Sequence, residues 1–326
     1  MDLIESYAEE LQLIRKPWTR VWVGAFVIML ILLPFYAPEH ITYITTIIFI
    51  YIIGVQGQNL LIGYTGQISF GQAGFLAIGA FTFGHMSRFG LPWPISLLLA
   101  GLAAGIFGLV VGFPSLRLKG PYLAIATLGF GIAVYQIFVN SELLSGGRMG
   151  LIVTKLSPPF GLSGAVFNYY FNFFIALLFT LLSYNIISSY MGRAFIAIRD
   201  NDIAAEVIGV NLTRYKLLSF AISSFYTGIQ GGLYGLFLGY LEPNMFTFME
   251  AITLFVAVII GGLASIEGSI MGAAFVILVP HFFSDYKEMV PVIFGTTILL
   301  VLIFEPMGLY GRWLKMRLYF RNWPFR

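Results

Sequence analysis

The chain has 326 residues, 59% of them apolar and only 10% charged, with a net charge of +3. A soluble domain carries about 25% charged residues, and a mean hydropathy of +0.88 exceeds what a soluble core absorbs, so the composition points to an all-α polytopic membrane protein. The lack of cysteine excludes disulfides, thiolate metal sites and a cysteine nucleophile, and His40, His85 and His281 stand far apart without ligand spacing.

Residues 1–20 open with Asp2, Glu5, Glu9 and Glu10, unlike the basic start of a secretory signal. Leu3, Ile4, Tyr7, Leu11 and Ile14 recur at three- and four-residue spacing. This predicts an amphipathic cytoplasmic segment lying on the membrane surface, and a helix docked on a partner satisfies the same pattern. Crossing the hydrocarbon takes about 20 helical residues, fewer where a helix is short or broken. Ten spans follow: 21–37, 41–63, 73–89, 93–113, 121–139, 167–190, 215–240, 250–264, 268–282 and 290–304. The eighth and ninth are short and joined by SIEG, so a re-entrant hairpin fits them equally and the count is about ten, within 8–10. The transmembrane domain is thus 21–304, followed by a basic cytoplasmic tail at 305–326.

Fourteen basic residues fall in one set of loops: Arg15, Lys16, Arg20, Arg117, Lys119, Arg193, Arg199, Arg214, Lys216, Arg312, Lys315, Arg317, Arg321 and Arg326. The other set holds Arg88, Arg148, Lys155 and Lys287. Lysine and arginine accumulate on the cytoplasmic side, which places both termini there and favours an even number of spans. GLAAGIFGLVVG (101–112) and GIQGGLYGLFLG (228–239) repeat small residues four apart. Such faces let helix backbones approach closely in lipid, which describes a bundle, not a function.

Between the second and third spans lies NLLIGYTGQISFGQAGF (59–75), polar and glycine-rich in an oily chain. The apolar run before it, 41–55, makes about 22 Å of helix, short of the roughly 30 Å hydrocarbon thickness. Residues 56–72 are therefore expected to lie partly at membrane depth as a broken helix, where irregular backbone must be buried in protein or line a wet cavity. Gln56, Gln58, Asn59, Tyr64, Gln67, Ser69 and Gln72 are the candidate lining of a translocation path, since uncharged amides and hydroxyls suit a polar or zwitterionic solute. A cytoplasmic loop without solute contact is the alternative. GGLASIEGSIMGAA (261–274) echoes the segment at a second cytoplasmic junction.

The longest charged cytoplasmic loop, 191–216, contains a short amphipathic stretch. Ile198, Ile203, Val207 and Ile208 are expected on one side and Arg199, Asp202 and Glu206 near the other, with Asn201 or Asp202 as cap and Gly209 as stop. An ordered apolar face in water wants a partner. No phosphate loop, HExxH or paired carboxylates occur, and Glu142, Glu242, Glu250, Glu267, Glu288 and Glu305 sit at span ends or in loops. Ion-driven transporters usually keep an ionisable group within the bilayer, so energy must come from elsewhere or the protein is a passive channel.

IAAEVIG (203–209) resembles the EAA signature of ABC importer permeases, with Ala204, Ala205 and Gly209 matching and Ile203, preceded by Asp202, in place of the leading glutamate. Over nearly the whole chain beyond residue 20, NLLIGYTGQISFGQAGFLAIGAF (59–81), RLKGPYLAIATLGFG (117–131), SGGRMGL (145–151), GRAFIAIRDNDIAAEVIGVN (192–211), EPNMFTFMEAITLFVAVIIGG (242–262) and FEPMGLYGRW (304–313) are similar, in order, to the LivM-type permease subunits of branched-chain amino acid importers. Ala264, where glycine is common, and Met307, where a basic residue is common, depart from the pattern.

The resemblance implies an ABC importer permease fold in a bacterial or archaeal inner membrane, with membrane lipid around it and no nucleic acid involved. It implies a LivH-type permease paralogue, two cytoplasmic ATPases of LivG/LivF type that hold ATP and Mg, and a periplasmic or extracellular solute-binding protein. The chain itself would be a non-catalytic subunit without a cofactor. The coupling loop, 191–213, would meet the ATPases through Arg193, Arg199, Asp200, Asp202, Ala204, Ala205, Glu206 and Gly209, so Ala205→Arg or Gly209→Glu would uncouple it. Urea or short-chain amide importers use the same branch of permeases, and a stand-alone facilitator for small polar solutes is the reading from another class.

Overall fold

The computed structural model describes residues 17–118, 120–155, 163–283, 289–304 and 308–321. The expected surface segment at 1–20 lies outside these up to residue 16, as do 305–307, with Met307, and 322–326 of the tail. The described chain is almost entirely helical, because in lipid a helix satisfies its own backbone polar groups. In order come α1 (Pro17–Tyr36), α2 (Glu39–Asn59), a π-helical turn (Leu60–Tyr64), α3 (Gln72–Arg88), α4 (Trp93–Ser115) and α5 (Pro121–Asn140). There follow the short α6 (Glu142–Ser145), β1 (Leu151–Ile152), α7 (Gly164–Ser188), α8 (Tyr190–Asp200), α9 (Asp202–Val207) and α10 (Leu212–Leu238). After β2 (Tyr240–Leu241) come α11 (Phe248–Gly261), α12 (Ile266–Phe282), α13 (Val290–Phe304) and α14 (Gly308–Arg321).

Each of the ten expected spans is a helix. Four of them, at 39–64, 93–115, 121–140 and 164–188, are long and apolar enough to cross a membrane on length and composition alone. Helix starts follow local chemistry: Ser163, Asn201, Asn211 and Ser265 each accept a backbone N–H of the first turn of α7, α9, α10 and α12.

Helix α10 is the central strut, packed between α4 and α3 and against α2. The two small-residue runs seen in the sequence face each other. A Cβ on Gly228 would come within 2.5 Å of the Ala104 Cβ and 2.7 Å of the Ala100 carbonyl, so only glycine allows this helix spacing. Tyr169 and Tyr170 of α7 donate to the Leu30 and Ile31 carbonyls, at 2.7 and 2.6 Å, and tie α1 to the bundle.

The bundle has two distinct ends. One gathers the π turn, the hairpin formed by α8 and α9, the α11–α12 turn and the start of α14, where Gly308 lies against Gly262. At the other, β1 pairs antiparallel with β2, Leu151 opposite Leu241. His40 and His281 stack there with ring centroids 6.4 Å apart, and His85 Nε2 lies 2.7 Å from the Leu144 carbonyl.

Candidate functional site

The break expected over 56–72 is shorter than the sequence implied. Helix α2 continues past Val55 through Gln56, Gln58 and Asn59, and the π turn carries it to Tyr64. Glutamine is a good helix former, and these amides find partners on neighbouring helices, so polarity did not need to end the helix. Irregular backbone is confined to 65–71. Gly66 turns the chain there with φ of +71°, a conformation that favours glycine.

All seven candidate path residues are buried, and six of them bond to other parts of the chain. Gln56 donates to Thr180 Oγ1 at 2.8 Å and accepts from Ser183 Oγ at 3.3 Å. Gln58 reaches across the break to the Ser69 carbonyl at 3.0 Å, and Ser69 Oγ accepts the Gly71 N–H. Gln67 donates to Ser219 Oγ at 2.7 Å. Gln72 donates to Ser223 Oγ at 2.8 Å while accepting from Thr227 Oγ1 at 2.7 Å. Asn59 is the densest node, donating to the Ser265 carbonyl and Ser269 Oγ, both at 2.8 Å, and accepting the Ala264 N–H at 3.0 Å. The two glycine-rich junctions noted in the sequence are therefore in direct contact. Tyr64, Gln56, Asn59, Ser183 and Ser269 border a crevice too narrow to hold a water molecule.

The partners of these amides form a pattern that the sequence reading missed. Lys216, Ser219, Ser223 and Thr227 bond to Gln67 or Gln72; with Gln230, whose Oε1 has no hydrogen-bond partner, they recur every three or four residues along α10, which places them on one face. The signal was present in KLLSFAISSFYTGIQ, but that helix was read for its glycines. Glu250 was placed at a span end, and it does open α11. It nonetheless lies close to Tyr51, midway along the helix running from Glu39 to Tyr64, and its Oε1 is buried without a hydrogen-bond partner. The fourteen residues of α11 make about 21 Å of helix, so the end of so short an element sits at depth.

The coupling segment is two helices, not one. Asn201 breaks it and its Oδ1 accepts the Ile203 and Ala204 N–H groups at 3.0 Å each. Gly209, with φ of +90°, ends α9. Ile198 and Ala205 are buried in a small cluster with Ala194 and Val210, whereas Ile203, Val207 and Ile208 are 68%, 82% and 75% exposed. Ile198 thus leaves the apolar side assigned to it, and Ala205 faces inward. Ala205→Arg and Gly209→Glu would break the hairpin itself before they could report on docking. Ala204, Glu206 and Asp200 are exposed. Asp202 pairs with Lys216 at 3.4 Å. Arg193 donates to the Ser188 carbonyl and lies 5.9 Å from the Tyr190 ring centroid. Arg199 turns toward the π turn, its Nη1 2.9 Å from the Gly63 carbonyl.

The arrangement holds no metal-binding group of acidic, histidine or cysteine side chains among the described residues. Its chemistry is that of uncharged hydrogen-bonding groups and an exposed apolar hairpin at the same end of the bundle. A family model described as the branched-chain amino acid transport system permease component matches residues 40–304. The high-affinity branched-chain amino acid transport system permease protein LivM of Salmonella typhimurium is 32% identical over an alignment of 316 residues, covering 89% of this chain and 74% of that protein. A probable branched-chain amino acid transport permease protein LivM of Methanocaldococcus jannaschii is 29% identical over 236 residues, 65% of this chain and 68% of its own. The high-affinity branched-chain amino acid transport system permease protein LivH of Salmonella typhimurium is 32% identical over 129 residues, 38% of this chain and 41% of its own. No solved structure matches the chain.

Proposed function

The chain belongs to the permease-component family of branched-chain amino acid transport systems, and from that membership we propose that it is one of two permease subunits of an ATP-driven importer for leucine, isoleucine and valine. It is an all-α, multi-pass membrane protein. In this reading it lies in the inner membrane with both termini cytoplasmic, beside a LivH-type paralogue. Two cytoplasmic ATPases bind ATP and magnesium, and a solute-binding protein delivers the amino acid at the end of the bundle that carries β1 and β2. This chain carries no cofactor and catalyses no reaction itself.

The observation that carries the reading is the hairpin of α8 and α9. It is locked from behind by Ile198 and Ala205 and shows Ile203, Val207 and Ile208 to solvent. An ordered apolar face of this kind is built to be covered by another protein, and it adjoins the junction where α2, α10 and the α11–α12 turn meet. Movement of the ATPases would pass through the hairpin to that junction. The crevice below the π turn would then open, and the amides of Gln56, Gln58, Asn59, Gln67 and Gln72, with Tyr64 and Ser69, would face the path. A zwitterionic amino acid has no net charge to neutralise, so uncharged donors and acceptors suffice for it.

The test is uptake of labelled leucine by proteoliposomes holding this chain, its paralogue, both ATPases and the binding protein. ATP-dependent accumulation is expected. Downhill flux through this chain alone, indifferent to ATP, would instead assign it to the facilitators.

A further inference from the structure

Arg199 was expected to meet the ATPases, but the structure gives its guanidinium a partner inside the chain. Nη1 donates to the Gly63 carbonyl at 2.9 Å, across 136 residues of sequence. That carbonyl belongs to the π turn at the C-terminal end of the long second span. The last carbonyls of a helix have no partner within it, and the helix dipole leaves partial negative charge there. The Leu61 and Ile62 carbonyls are met by the N–H groups of Gln67 and Gly66, and Arg199 meets the next one. The fit extends to the stem: a Cβ on Gly66 would lie 3.3 Å from Arg199 Cγ. A second contact, to Asp200 at 3.8 Å, is solvent-exposed and adds little.

We infer that Arg199 is the positioning residue through which the coupling hairpin holds and moves the end of the second span. It rests on the importer reading above and replaces a docking role with a transmitting one. One turn before Gly63 on the same element is Asn59, bonded to Ser265 and Ser269, so a shift of the hairpin reaches the crevice through two hydrogen-bonded steps. Lysine cannot match the planar, forked donor but retains a cation able to reach a carbonyl.

The test uses the full importer, assembled from this chain, its paralogue, both ATPases and the binding protein, with wild type, Arg199→Ala and Arg199→Lys. Leucine moved per ATP hydrolysed is expected to fall about tenfold in Arg199→Ala, the scale of a charge-assisted hydrogen bond. ATP turnover and retention of the ATPases should stay near wild type, and Arg199→Lys should recover part of the ratio. A readout independent of solute uses spin labels on cysteines placed at Ile68 and Ile196, in a chain that has none of its own. Their separation should hold constant between nucleotide-free and ATP-bound wild type and change with nucleotide in Arg199→Ala. Loss of the ATPases from the purified alanine variant, an unchanged transport ratio, or equal label distances in both proteins would overturn the inference. Failure of wild type to accumulate leucine with ATP would instead defeat the importer reading, and the label distances would still decide the role of Arg199.

Discussion

The junction at 56–72 and the hairpin at 190–207 invert each other. At the junction six amide and hydroxyl side chains are buried and bonded, four of them to neighbouring helices; at the hairpin, two helices of about 16 and 9 Å leave isoleucine and valine in solvent. In lipid the hydrophobic effect does not hold helices together, and interhelical hydrogen bonds and close packing do, so buried polarity at the junction is structural cement as well as a candidate path. Exposed apolar side chains on a capped hairpin cement nothing within this chain. The difference separates what the subunit completes by itself from what another protein must complete.

Asn59→Leu is the strongest way to break that comparison. It removes the bonds to Ser265, Ser269 and the Ala264 N–H and leaves a buried donor unpaired. Interhelical bonds in membranes average about 0.6 kcal/mol each, and a stranded buried group costs about 1–3 kcal/mol. A loss of about 2–3 kcal/mol is expected, read as a lower thermal midpoint of the detergent-purified protein. Stability equal to wild type would mean that the node is not cement.

Next in size is Ala205→Arg, which places a charge in the cluster of Ala194, Ile198 and Val210. Overpacking costs about 1–3 kcal/mol, and here it falls on the hairpin alone. Hydrogen exchange should rise across α8 and α9 while the bundle keeps its protection. Uniform loss of protection would show that the hairpin and bundle unfold as one unit.

How far these two regions were legible in sequence differs for physical reasons. The ten helices could be read because lipid demands long apolar runs and helices alone satisfy them. Asn201 as cap and Gly209 as stop were legible because both act on their own neighbours. The bond from Arg199 to the Gly63 carbonyl and the burial of Ala205 were not, since each depends on a surface supplied from elsewhere in the fold. Gln56 and Asn59 were misread as part of a break because polarity in an apolar chain looks like an interruption until the facing hydroxyls of α7 and α12 are known. The serines of α10 were spaced for one face, and only their pairing with Gln67 and Gln72 was hidden.

A smaller effect of opposite sign is expected at Ala264. It adopts φ of +56°, the one non-glycine with positive φ among the described residues, in the turn that Asn59 holds. A left-handed conformation costs a side-chain-bearing residue about 1–2 kcal/mol, partly offset by the greater chain entropy of glycine. Ala264→Gly should therefore stabilise by about 0.5–1 kcal/mol, raising the thermal midpoint by about 1–3 °C. This explains in geometric terms why glycine is expected at that position. A drop in midpoint would mean that the methyl group contributes packing that outweighs the strain.

Val207→Glu should have the smallest effect on the chain itself and the most specific one on its assembly. Val207 is 82% exposed, and surface substitutions usually stay within about 0.5 kcal/mol, so thermal midpoint and hydrogen exchange should match wild type. The glutamate would nonetheless be desolvated without a partner if an apolar groove covers the hairpin, which costs several kcal/mol at an interface. Co-purification of the ATPase subunits should fall at least about tenfold, equivalent to about 1.4 kcal/mol, while Asn59→Leu, scaled to the protein that remains folded, should retain them. Should Val207→Glu hold its ATPases as wild type does, the exposed face of α9 would not be the docking surface, and the contrast between a junction complete in itself and a hairpin awaiting its partner would fail at the second term.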